Sequence, residues 1–284
     1  MVYTTMGYGL ELVAGNTSIS DPITLKEDHP CNILQRKALR RILGVNQNTP
    51  TLALFGETGL LEWSHLRIQA AINYRLKLAS LPTTSPLRNI IDHFSNYPSQ
   101  WWDYTTKAAE HFSIDLADQN PNQNITESIH TVYARKWNLM RQQLQLDPRT
   151  GSKTRYYLDL KETYGVEHYL HCIPKASLRM SLTKFRLRSH NLNVEIGSYA
   201  RQNRDQKRLC QCCSVLEDES HVLFDCPRYA SLQALFRNRL NRLGLDSPTS
   251  LSNLLSQTNT RTFPEIAILC SSIIKLKATS STNA

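Results

Sequence analysis

Between Cys210 and Cys226 three cysteines and one histidine follow the pattern C-x2-C-x7-H-x4-C, and no other feature of the chain constrains its local fold as tightly. This spacing supplies three thiolates and one imidazole, with Cys210, Cys213, His221 and Cys226 as the expected ligands of a zinc ion. A zinc ion held by four protein ligands is tetrahedral and closed, so the site is expected to be structural, with no vacant position for catalysis. The two-residue gap lets the chain fold back so that two sulfurs meet one ion. Pro227 suits the first position of a helix after Cys226, and that helix's N-terminus favours the thiolate. The surrounding stretch, KRLCQCCSVLEDESH, reads as too polar to hold a fold by burial, and metal coordination would contribute on the order of 10 kcal/mol there. Cys212 would form a C-x-C pair of poorer bite and is read as a bystander.

The remaining cysteines, Cys31, Cys172 and Cys270, are isolated, and a total of seven argues against a disulfide framework. The opening MVYTTMGYGLELVAG has no basic stretch followed by an apolar run, and nowhere do about 18 apolar residues occur in succession. These features lead to the expectation of a protein in a reducing compartment, nucleus and/or cytoplasm, with no membrane partner.

Apolar residues recur mostly at three- and four-residue spacing, so the chain is expected to be mainly α, with helical segments and a small C-terminal CCHC knuckle. A helix is expected from His29-Pro30 to Gly44 with Leu34, Ala38, Leu39, Ile42 and Leu43 on its inner face. Others are expected after Thr49-Pro50, over 61–80, from Asn124 with Ile125, Ile129, Val132, Tyr133, Trp137, Met140 and Leu144 as its stripe, over 175–189, over 229–243 and over 264–277. Breaks at 81–86, 119–123 and 147–151 suggest segments 1–82, 83–174 and 175–284, the last holding the basic helix, the knuckle and the C-terminal helices.

Lys plus Arg outnumber Asp plus Glu by 33 to 24, a net charge of +9 that favours phosphate-bearing partners. The excess is concentrated. From Lys175 to Arg208 nine residues are basic and only Glu195 and Asp205 are acidic. Arg179, Lys184, Arg186, Arg188, Arg201, Arg204, Lys207 and Arg208 therefore read as contacts to RNA and/or DNA, with Tyr199 as a residue that could stack on a base. A solvated helix face followed by a charged linker would give the same composition.

The order FRLRSHNLNVEIGSYARQNRDQKRLCQCC, then EDESHVLFDCPRYASL, resembles the C-terminal zinc-binding region of non-LTR (LINE-like) retrotransposon reverse transcriptases. QRKALRRILGVNQNTPTLALFGETGLLEW resembles the region downstream of the polymerase palm in those proteins, around and beyond the thumb. The resemblance implies a thumb-like segment over 1–82, a helical connector over 83–174, the four zinc ligands already named, and a grip on element RNA or target DNA. It does not imply polymerase activity for this chain. Two-metal phosphoryl transfer needs clustered carboxylates, and neither a Tyr/Phe-x-Asp-Asp motif nor an adjacent Asp pair occurs.

No catalytic constellation stands out elsewhere. His65, His93, His111, His130, His168, His171 and His190 are scattered, and Glu167-His168 with His171 is not H-E-x-x-H. The leading expectation is a nucleic-acid-binding fragment, inactive alone as a polymerase. Two others stand beside it: a non-catalytic part completing a reverse transcriptase whose palm lies on a separate chain, and a zinc-stabilised protein-interaction module docking through the apolar helix Ile266 to Ile274.

Overall fold

A computed structural model describes residues 30–96, 99–117, 122–248, 250–256 and 259–281. It is mainly helical, 69% helix, and no strand occurs among the described residues. The helices are α1 (Pro30–Leu43), α2 (Thr51–Thr58), α3 (Trp63–Ala79), α4 (Pro86–Asn96), α5 (Gln100–His111), α6 (Asn122–Leu146), α7 (Ser152–Leu160), α8 (Tyr169–Cys172), α9 (Ala176–Arg186), α10 (Asn193–Ile196), α11 (Arg204–Lys207), α12 (Ala230–Arg242), α13 (Leu251–Leu255) and α14 (Thr262–Ser281). None is long and apolar enough to cross a membrane. The opening segment and residues 119–121 of the expected second break lie outside the described residues.

The chain divides into two compact units. Among the described residues, one takes 30–37 with 60–140, and the other takes 38–59 with 141–281. The boundaries fall inside α1 and α6, where sequence breaks cannot reveal them.

In the first unit α3 packs on α4 and α5. Its core includes Ile68, Ile72, Tyr104, Ala108, Phe112 and the α6 stripe Ile125, Ile129, Tyr133 and Trp137, at the i, i+4 spacing that puts side chains on one helix face. The stripe stops sooner than expected, because Met140 is exposed. α6 also begins at Asn122, so Asn124 lies in its first turn and not at the cap. His65 is a core residue, its ring edge-on to Tyr133 at 4.7 Å.

On α1 the buried positions are Asn32, Gln35, Leu39 and Leu43, whereas Leu34 and Ile42 are 47% and 67% exposed. The inner face expected from apolar residues is thus displaced. Gln35 faces inward because its side chain serves the backbone: Nε2 donates to the Leu61 carbonyl at 2.8 Å, and Oε1 accepts from the Trp63 amide at 2.8 Å. That satisfies one of the orphan amides at the start of α3. Gly44 follows with φ +68, in the left-handed region that ends a helix.

In the second unit α14 packs against α9 and α12. Leu182 and Phe185 of α9, Phe236 and Leu240 of α12, and Ile266, Ala267, Cys270 and Ile273 of α14 belong to one core. The apolar C-terminal helix is therefore buried and does not present the docking surface expected of it. Leu235 of α12 is exposed.

Candidate metal centre and its basic approach

Residues 208–217 fold back on themselves. Leu209 pairs with Leu216 in an antiparallel bridge, and the Glu217 amide donates to the Arg208 carbonyl at 2.9 Å. Inside this bend the Cys210 amide donates to Val215 at 2.6 Å and the Ser214 amide to Cys210 at 2.8 Å, with Ser214 at φ +58. The bend turns the Cys210 and Cys213 side chains to the same place. His221 arrives on a single wide turn, His221–Asp225, whose amide end is capped by Asp218: Oδ1 accepts from the His221 amide at 2.9 Å. Cys226 follows, and Pro227 opens the short 3-10 turn leading into α12, as the spacing predicts.

The ligand atoms of Cys210, Cys213, His221 and Cys226 all lie within 4.8 Å of one another, close enough to hold a metal ion. Cys226 Sγ is 3.8 Å from Cys210 Sγ and 3.8 Å from Cys213 Sγ. Thiolates about 2.3 Å from a central zinc at tetrahedral angles would stand about 3.8 Å apart, whereas a disulfide would need about 2.0 Å. The His221 ring nitrogen Nε2 is buried without a hydrogen-bond partner, which is costly for a polar atom unless something else binds it. The donor set therefore fits zinc. Burial, followed by contact with Cys226 and Cys212, pushes the Cys213 thiol up to about 12, and burial raises Cys226 as well. Adjacent sulfurs resist losing protons until a cation offsets their charge. Cys212 is exposed and outside the group, where its reading as a bystander puts it.

Buried ion pairs anchor the polar stretch around the four candidate ligands. Glu217 and Glu219 are buried. Lys277 Nζ of α14 lies 2.8 Å from the Glu217 carboxylate. Glu219 accepts from Arg188 Nε at 2.8 Å, Arg188 Nη2 at 3.1 Å and His190 Nε2 at 2.9 Å. His190 Nδ1 accepts from the Leu192 amide at 3.3 Å, which assigns the ring proton to Nε2. Burial opposes the Glu219 charge, but His190 and then Arg188 hold its carboxyl below the ordinary glutamate value. Spacing alone carried no signal for these anchors, although two glutamates beside metal ligands in EDES were available as a hint.

The basic residues separate sharply. Arg186 is 1% exposed. Its guanidinium meets Glu57 Oε1 at 2.6 Å and Glu167 Oε2 at 2.8 Å, donates to the Leu255 carbonyl, and faces the Tyr169 ring at 5.5 Å. Tyr169 donates to Glu57 at 2.8 Å, closing a buried network among α2, α8 and α9. Arg186 thus cannot be a phosphate contact, because two carboxylates already neutralise it out of solvent. Arg188, at φ +47, is committed to Glu219 and stacks over Tyr156 at 4.1 Å. Arg179 donates to the carbonyls of Ile173 and Pro174, at 2.6 and 2.8 Å. Lys184 and Arg208 are half-buried. Arg201, Arg204 and Lys207 are exposed and form no ion pair among the described residues.

Tyr199 is 61% exposed, and its hydroxyl donates to Glu195 Oε1 at 3.0 Å. Desolvation, then that hydrogen bond, raises its hydroxyl above the ordinary tyrosine value. Glu195, counted in the sequence as a charge offsetting the basic run, points inward to Lys153 Nζ at 2.6 Å.

Comparison of the chain with family models, with curated proteins and with solved structures gives no match.

Proposed function

We propose that the chain is a zinc-clasped, helical nucleic-acid-binding module corresponding to the thumb-to-knuckle part of a non-LTR retrotransposon reverse transcriptase, without polymerase activity of its own. The observation that carries the binding reading is the trio Arg201, Arg204 and Lys207, three exposed cations without carboxylate partners among the described residues, on the loop that enters the metal cluster. Unpaired cations at a rigid element attract phosphates by Coulomb attraction and by release of condensed counterions. Lys184 and Arg208 can add to the same field, whereas Arg179, Arg186 and Arg188 serve the fold.

Cys210, Cys213, His221 and Cys226 would hold the zinc, and its chemistry there is structural. With four protein ligands the ion has no open position for water or substrate. The clasp fixes the end of the basic loop, so its cations are presented from an ordered bend. The link to reverse transcriptases rests on the quoted sequence segments and their order along the chain.

Fluorescence anisotropy of labelled RNA and DNA across a salt series tests the binding. Affinity should fall linearly in log-log form as salt rises. Absence of binding at low salt, or binding indifferent to salt, would overturn it.

A further inference from the structure

We propose that the basic loop takes single-stranded rather than duplex nucleic acid, and that Tyr199 is a fixed platform on which one unpaired base stacks; this rests on the nucleic-acid reading above. A tyrosine that simply stood in solvent would rotate freely and lose conformational entropy on gripping a base. Tyr199 does not stand free. Its hydroxyl donates to Glu195 and accepts from Asn48 Nδ2. Lys153 Nζ then joins both partners, 2.6 Å from Glu195 Oε1 and 3.2 Å from Asn48 Oδ1. The four side chains close a ring of hydrogen bonds that draws on α7, α10, the Gly197–Tyr199 turn and the segment between α1 and α2. The polar end of the tyrosine is held while most of the residue remains in solvent, and pre-organisation of this kind lowers the cost of binding.

The platform and the cations form one site because of Gly197. A Cβ at that position would come within 2.8 Å of the Lys207 backbone and 2.7 Å of the Arg208 side chain. Only glycine lets the turn carrying Tyr199 lie directly against the end of α11, which bears Arg204 and Lys207. A π-face beside unpaired cations matches a strand whose bases are free to leave the stack while its phosphates remain within reach. A duplex offers the phosphates but keeps its base faces covered, so the ring would have nothing to receive.

The test compares three labelled ligands on the full, zinc-loaded chain: a single strand, the same strand with abasic positions, and a duplex of equal length. The unmodified protein should bind the intact strand about tenfold more tightly than the abasic one, and more tightly than the duplex. Tyr199→Ala should erase the margin over the abasic strand without changing abasic binding, and Tyr199→Phe, which keeps the ring and loses the tether, should retain part of it. The triple change Arg201→Glu, Arg204→Glu, Lys207→Glu should weaken all three ligands alike. Equal affinity for intact and abasic strands in the unmodified protein overturns the inference and requires no variant to fold. Salt-dependent binding that favours duplex and ignores Tyr199→Ala overturns the single-strand inference alone, whereas absence of binding to every ligand overturns the nucleic-acid reading with it.

Discussion

Helix α9 and the loop after α10 carry almost the same basic composition, yet they use their charges in opposite directions. On α9 and just beyond it, Arg186 and Arg188 turn inward to Glu57, Glu167 and Glu219. On the loop, Arg201, Arg204 and Lys207 reach solvent. The difference lies in where the carboxylates are. Glu57 is 129 positions away from Arg186 along the chain, and Glu219 is 31 away from Arg188, so neither pairing leaves a mark in the local sequence. Composition counts cations; only packing tells which are already neutralised.

The largest expected effect comes from removing the proposed zinc. Chelation, or Cys210→Ser with Cys226→Ser, withdraws on the order of 10 kcal/mol from the bend. Hydrogen exchange should show the amides of Cys210, Ser214 and Glu217 losing protection, while those of α9 remain protected. Simultaneous loss in α9 would mean that helix and loop are one cooperative element, and the contrast between them would fall.

Arg186→Met comes next. It leaves Glu57 buried without its cation, while Glu167 keeps Lys161, which should cost about 3–5 kcal/mol and appear as a lowered Tm or denaturation midpoint. Pairing it with Glu57→Gln should recover part of that loss. If Arg186→Met instead lowered nucleic-acid affinity in a protein of unchanged stability, the assignment of this arginine to the fold would be wrong.

The triple reversal of Arg201, Arg204 and Lys207 should behave oppositely, with stability changed by no more than about 0.5 kcal/mol and the salt dependence of binding made shallower by about two. The smallest effect belongs to Ser214→Gly. Its φ of +58 costs a non-glycine residue about 1 kcal/mol, and glycine's greater freedom in the unfolded chain offsets much of the relief. A gain of about 0.5 kcal/mol is expected in the zinc-loaded form by thermal unfolding.

Legibility followed the range of the physics involved. The i, i+4 stripe of Ile125, Ile129, Tyr133 and Trp137 was readable because helix geometry alone sets which side chains share a face. Apolar spacing does not reveal the inner face of α1, because Gln35 is buried to bond the backbone at the start of α3, a role that hydrophobicity does not report. Tyr199 could be picked out as an aromatic near cations, but the ring of Asn48, Lys153 and Glu195 that holds it draws on three separate stretches of chain.

The sequence by itself determined which four side chains converge as a candidate metal cluster. Ligand chemistry and short loops fix which side chains can meet within sixteen positions of Cys210, and the four sulfur and nitrogen donors do converge. Tertiary structure alone decided the meaning of the charges around it. Ion pairing depends on distance in space, and folding delivered distant carboxylates to α9 while leaving the cations of the following loop in water.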